Sequence, residues 1–144
     1  MKSLALIGLS VAIVALAPKH SFSADGPPPP MNAAARARVD AEMLRLELGT
    51  RIEQRCNRRA MGLVRREHWP MNPDEAVARA FAEPEEIGPE VRATGAAIRS
   101  RGEWYRIAFD CVTTENGLEI KSFRYSLGAP VPKSEWKDHS LVEP

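Results

Sequence analysis

Two cysteines, Cys56 and Cys111, carry the plainest chemistry in this chain of 144 residues. In an exported domain such a pair most often forms a disulfide. The two lie 55 positions apart, and the loop-entropy argument gives about 4 kcal/mol for a bridge closing a loop of that length. The alternative is a reactive thiol, which wants a Cys-x-x-Cys motif or a cation-rich site. Arg55, Arg58 and Arg59 flank Cys56, but no second cysteine is close to it in sequence.

A second set of residues has the chemistry to bind a ligand: Arg99, Arg101, Trp104, Arg106 and Arg124. Trp104, Arg106, Asp110 and Arg124 share the parity opposite the apolar residues of two predicted strands, and Arg99 and Arg101 lie at the adjoining turn. A tryptophan amid arginines on an exposed sheet face holds a glycan or an anionic envelope polymer by stacking and charge-assisted hydrogen bonds. The competing readings are that helices cover this face, or that Glu103 and Asp110 simply pair these arginines.

Nothing else forms a recognisable site. His68 and His139 sit in no metal-binding spacing. Ser100 lacks the Gly-x-Ser-x-Gly elbow of a nucleophilic serine. Asp74-Glu75 and Glu85-Glu86 read as helix-start charges and loop acids rather than paired glycosidase carboxylates. No catalytic residue, metal ligand or cofactor is therefore assigned.

The compartment follows from the N-terminus. Lys2, the apolar run Leu4 to Ala17 and the small residues Ser21 and Ser23 before Ala24 have the layout of a secretory signal peptide. The run is short for a membrane span of ~20 residues, and Pro18 closes it. A retained anchor is the alternative to cleavage. The expected organisation is a signal peptide over 1–23, a Pro-rich spacer over 24–31 and one globular domain over 32–144, in the periplasm or secreted. Losing Lys2 and Lys19 and no acid takes the formal net charge from +1 to −1, which argues against nucleic acid as a partner. Arg36 to Arg66 nevertheless holds nine arginines against four acids, and Glu67 to Glu90 holds seven acids against one arginine. These read as complementary solvated faces, or as a basic face for lipid headgroups or an acidic partner.

Periodicity supplies the elements. Val39, Met43 and Leu46 predict a helix over 32–48, with Gly49 as its stop. Thr50-x-x-Glu53 reads as a capping box for a second helix over 51–65, with Ile52, Cys56, Ala60 and Leu63 as its apolar stripe. Asn72-Pro73-Asp74-Glu75 reads as a third helix start, and residues 84–95 as a loop. From Ala96 the period changes to two, predicting strands over 96–99, 103–113 and 118–127. A three-residue turn, Glu115-Asn116-Gly117, sets Phe109 opposite Phe123, Ile107 opposite Tyr125 and Tyr105 opposite Leu127, matching apolar with apolar. Trp136 is expected to dock a helical turn onto the domain. The fold class is α+β: two or three N-terminal helices packed on a three-stranded antiparallel β-meander, stapled by one disulfide.

Several motifs resemble a family of exported bacterial proteins, domain of unknown function 930. They are Arg51-Ile52-Glu53-Gln54-Arg55-Cys56, Ala80-Phe81-Ala82-Glu83-Pro84, Ser100-Arg101-Gly102-Glu103-Trp104-Tyr105, Cys111, Ser122-Phe123-Arg124-Tyr125 and Glu135-Trp136. The resemblance runs from about Thr50 to His139 and, as the name implies, brings no activity or site residues with it. The functional expectation is a non-enzymatic cell-envelope binding or accessory protein for a glycan, lipid headgroup or protein partner, without a stable membrane span after cleavage. The alternative is a small hydrolase or enzyme inhibitor, whose cleft would bring His68 or an acid beside Ser100 or Asp110.

Overall fold

Asn32 opens the first helix, α1 (Ala33–Met43), its side-chain Oδ1 accepting from the Ala35 N–H at 2.8 Å. The computed structural model describes residues 31–143. The predicted signal peptide and the run Pro27 to Pro30 lie outside the described residues. α1 buries no residue and ends five positions earlier than its pattern predicts. The second helix, α2 (Leu48–Glu67), begins after a turn over 44–47, so Gly49 and Thr50 fall inside it as neither stop nor cap. The reason is Arg51. Its guanidinium donates to Met43 O (2.8 Å), Leu44 O (3.3 Å), Leu46 O (2.8 Å) and Asn116 O (2.6 Å). Arg51 thus satisfies carbonyls at the end of α1 that a C-terminal glycine motif would otherwise serve.

The predicted third helix is a strand, β1 (Pro73–Val77). Proline suits the first residue of a strand as well as the first turn of a helix, so tertiary pairing decides. Glu75, Ala76 and Val77 pair with Arg99, Ile98 and Ala97. The Asn72 N–H donates to Ser100 Oγ at 2.8 Å. The predicted loop over 84–95 is likewise a short strand, β2 (Glu85–Ile87), and the first half of β3 (Glu90–Ser100). Two long strands follow, β4 (Glu103–Thr113) and β5 (Ile120–Pro130). The α+β class stands, with an antiparallel sheet of five strands rather than three. Its order is β1-β3-β4-β5, and β2 pairs the far end of β3.

The β4–β5 register slips two residues from the expected one. Phe109 faces Tyr125, Cys111 faces Phe123 and Ile107 faces Leu127, with irregularities at Val112/Thr113 and between Tyr105 and Ile107, the latter setting Tyr105 opposite Pro130 in place of the expected Leu127. The connection is longer than three residues: Thr114 N donates to Glu119 O, and Gly117 turns the chain at φ 69°. A shift of two keeps every side chain on its expected face. Ile52, Cys56 and Ala60 of the α2 stripe, with Val64 in place of the expected Leu63, therefore meet Val91, Ala93, Ile98, Ile107, Phe109 and Cys111 in the main core. Within it Cys56 and Cys111 form a disulfide, Cα to Cα 5.9 Å, which ties helix to sheet. After β5 the chain makes a helical turn, α3 (Lys133–Trp136), and a 3-10 turn over Lys137–His139.

Candidate functional site

α2 covers one face of the sheet; the other is divided between a closed half and an open one. Residues of β4 alternate between the faces, and Trp104, Arg106, Ala108 and Asp110 lie opposite α2. At the Trp104 end the C-terminal segment folds over the sheet. Val131, Trp136 and Leu141 pack with Ala80, Ala97 and Trp104 in a second small core. Trp104 N-ε1 donates to Val142 O at 3.0 Å, and Trp136 N-ε1 to Val131 O at 2.9 Å.

This placement corrects the expected exposed Trp/Arg patch. Trp104 is fully buried (0 % exposed) and offers no stacking surface. Arg99 lies 5.5 Å from the Trp104 ring centroid and is held by Asp74 and Glu75, both at 2.9 Å. Arg101 sits in the β3–β4 turn and donates from Nε to Pro70 O at 2.8 Å, away from the open half. Only Arg106 and Arg124 of the candidate set remain on the open half.

There, two adjoining depressions of about 440 Å³ and about 140 Å³ share Thr94, Ala108 and Ser126, so they form one shallow groove across β3, β4 and β5. Its floor is made of small side chains because β3 bulges at Thr94-Gly95, two residues standing against Ala108 alone. At one end, Arg92 Nε and Arg124 Nη2 each donate to Asp110, at 3.0 Å. That hydrogen bond, more than the charge alone, raises the Arg92 pKa. At the other end the Arg106 guanidinium lies 3.7 Å from the Phe81 ring centroid and 3.2 Å from Glu135. A guanidinium has five N–H donors, so Asp110 leaves Arg92 and Arg124 with capacity for a carboxylate or phosphate.

Sequence reasoning missed Arg92, Phe81 and the bulge. Arg92 lies in the stretch read as a loop, and once β3 is extended its position opposite Asp110 follows. The signal for the bulge is Gly95. A Cβ there would sit 2.3 Å from Ala82 N, and Phe81 N already donates to Gly95 O at 2.7 Å.

Among the described residues, His68, Ser100 and Asp110 are not brought together. Ser100 is buried and accepts from Asn72 N, while Asp110 is pinned between two arginines. His68 N-ε2 lies 3.0 Å from the Tyr125 hydroxyl, which donates to Glu67 at 2.7 Å. Burial and then Glu67 push Tyr125 up to about 12. The hydrogen bond from Tyr125, followed by that from Arg66, holds Glu67 below its ordinary value. Among the described residues no group of three or more His, Cys, Asp or Glu is placed to hold a metal ion, and no helix is long and apolar enough to cross a membrane.

A family described as Domain of Unknown Function (DUF930) matches residues 43–141 of the chain. No curated protein and no solved structure matches it.

Proposed function

The chain belongs to the DUF930 family, and from its geometry we propose that it is an exported, non-enzymatic binding domain of the cell envelope. Its ligand is an anionic glycan bearing carboxylate or phosphate groups. The observation that carries this reading is the open groove, a small-residue floor with arginines at both ends. Side chains such as Ala108, Ser126 and Thr94 let an extended ligand approach the sheet, and Arg92, Arg124 and Arg106 supply charge-assisted donors along its length. The signal-like N-terminus and the disulfide support an oxidising compartment.

The test is an NMR titration of the chain from Ala24 with an oligouronate and with a neutral glucan of equal length. The oligouronate shifts the amides of Thr94, Gly95, Ala108 and Ser126, and the glucan does not. Arg92→Ala and Arg106→Ala each weaken binding roughly tenfold, the loss expected for one hydrogen bond to a charged group. Equal binding of the two glycans, or affinity unchanged in both variants, overturns the reading.

A further inference from the structure

We infer that the outer edge of β5 docks an extended peptide strand in which apolar and acidic side chains alternate. β5 is the last strand of the order β1-β3-β4-β5 and runs for 11 residues. It pairs with β4 alone, and among the described residues no hydrogen bond outside that ladder reaches its backbone. The opposite border of the sheet is blunted. β1 has five residues, starts at Pro73, is irregular between Pro73 and Glu75, and holds Glu75 in an ion pair with Arg99. An unpaired row of N–H and C=O groups is a template for another strand unless it is short, bulged or covered. β1 has two of those protections; β5 is irregular at both ends but regular over Ser122 to Leu127, where its charge restricts which strand can pair.

The side chains specify the occupant. Phe123, Tyr125 and Leu127 pack against the main core yet stay only partly buried, so the core is open along β5. An added strand continues this row with its own apolar residues. On the groove side the Arg124 side chain is 82 % exposed, between the exposed Ser122 and Ser126. β5 carries Lys121 and Arg124 and no acid. Pairing with a second copy would line up cations along one seam, which is destabilising. An acidic strand gives Lys121 an acid and Arg124 a second one beside Asp110, and backbone hydrogen bonds supply the affinity, as in strand addition to sheet edges. This surface shares Arg124 with the groove but uses backbone and the Phe123 row in place of Arg92 and Arg106, so Arg92→Ala and Arg106→Ala leave it intact and its failure is distinguishable from that of the glycan reading.

The probe is the synthetic peptide Val-Glu-Val-Glu-Val-Glu-Val, offered to the chain from Ala24 beside its Lys-for-Glu counterpart and two forms N-methylated on alternate amides. The Glu peptide binds and slows amide exchange along β5. Only alternate amides of an added strand face its neighbour, so one N-methylated form loses roughly tenfold or more in affinity and the other does not. The Lys peptide binds more weakly, and Lys121→Gln with Arg124→Gln abolishes that discrimination. The inference is overturned if both N-methylated forms bind as the parent does. Slowed exchange confined to the groove, or dimerisation of the protein alone through β5 in sedimentation, overturns it equally.

Discussion

At the scale of single residues, Trp104 and Arg51 show how far a side chain's use departs from its type. Trp104 is the residue that composition marks for ligand stacking, yet it anchors the C-terminal segment through packing and a hydrogen bond to Val142 O. Trp104→Ala therefore removes a buried core side chain and is expected to cost roughly 3–5 kcal/mol in urea denaturation. It also exposes residues 131–143 to limited proteolysis. A variant that keeps its stability would return Trp104 to the surface role. Arg51 is as telling: an arginine only 9 % exposed with four carbonyl partners and, among the described residues, no acid within ion-pairing distance. Lysine, with a single ammonium, has no equivalent of that fork.

At the scale of elements, the groove exists because β3 bulges and the Phe81-Ala82 backbone presses into the gap. Gly95 is the point of contact. A methyl group there meets Ala82 N at 2.3 Å, Ala82 Cβ at 2.7 Å and the Phe81 carbonyl carbon at 2.9 Å. These atoms are mostly backbone and cannot swing aside. Gly95→Ala is expected to cost about 1–3 kcal/mol and to displace Phe81, so the Arg106–Phe81 stack loosens. A calorimetric melting point and the chemical shifts of the Phe81 ring check both outcomes. An unchanged melting point would mean that the 81–82 backbone does not press on the bulge.

At the scale of the whole molecule, two cores lie on opposite faces of one sheet, and the disulfide belongs to the main one. Opening it frees a 55-residue separation in the unfolded chain, so the double variant Cys56→Ala, Cys111→Ala is expected to lose up to about 4 kcal/mol. Guanidinium titration of the variant against the oxidised chain measures this. A loss well under 1 kcal/mol would place the stability in packing instead. The second core joins Ala80, Ala97 and Trp104, which lie inside the loop that the disulfide closes, to Val131, Trp136 and Leu141 of the C-terminal segment, which lie beyond it.

Much of the architecture was readable from the chain itself. Ile52, Cys56, Ala60 and Leu63 recur at helical spacing, and Tyr105, Ile107, Phe109 and Cys111 alternate. Each pattern names the face that must be buried, and from the two faces the disulfide follows. β4 matches its predicted bounds, Glu103 to Thr113, for the same reason. Local pattern was silent where distant partners decide. Asn72-Pro73-Asp74-Glu75 suits a helix start or a strand start, and the pairing with Arg99 and Ser100 selects the strand. The β4–β5 register slipped by two because a two-residue shift keeps apolar against apolar, leaving the loop around Gly117 to choose. Parity placed Trp104 away from the helix, but only the fold-back of residues 131–142 decided that this position is buried while Arg106 and Arg124 stay open. Chemistry is written in residue types, and whether solvent or a ligand can reach it depends on chain segments that meet only in the tertiary structure.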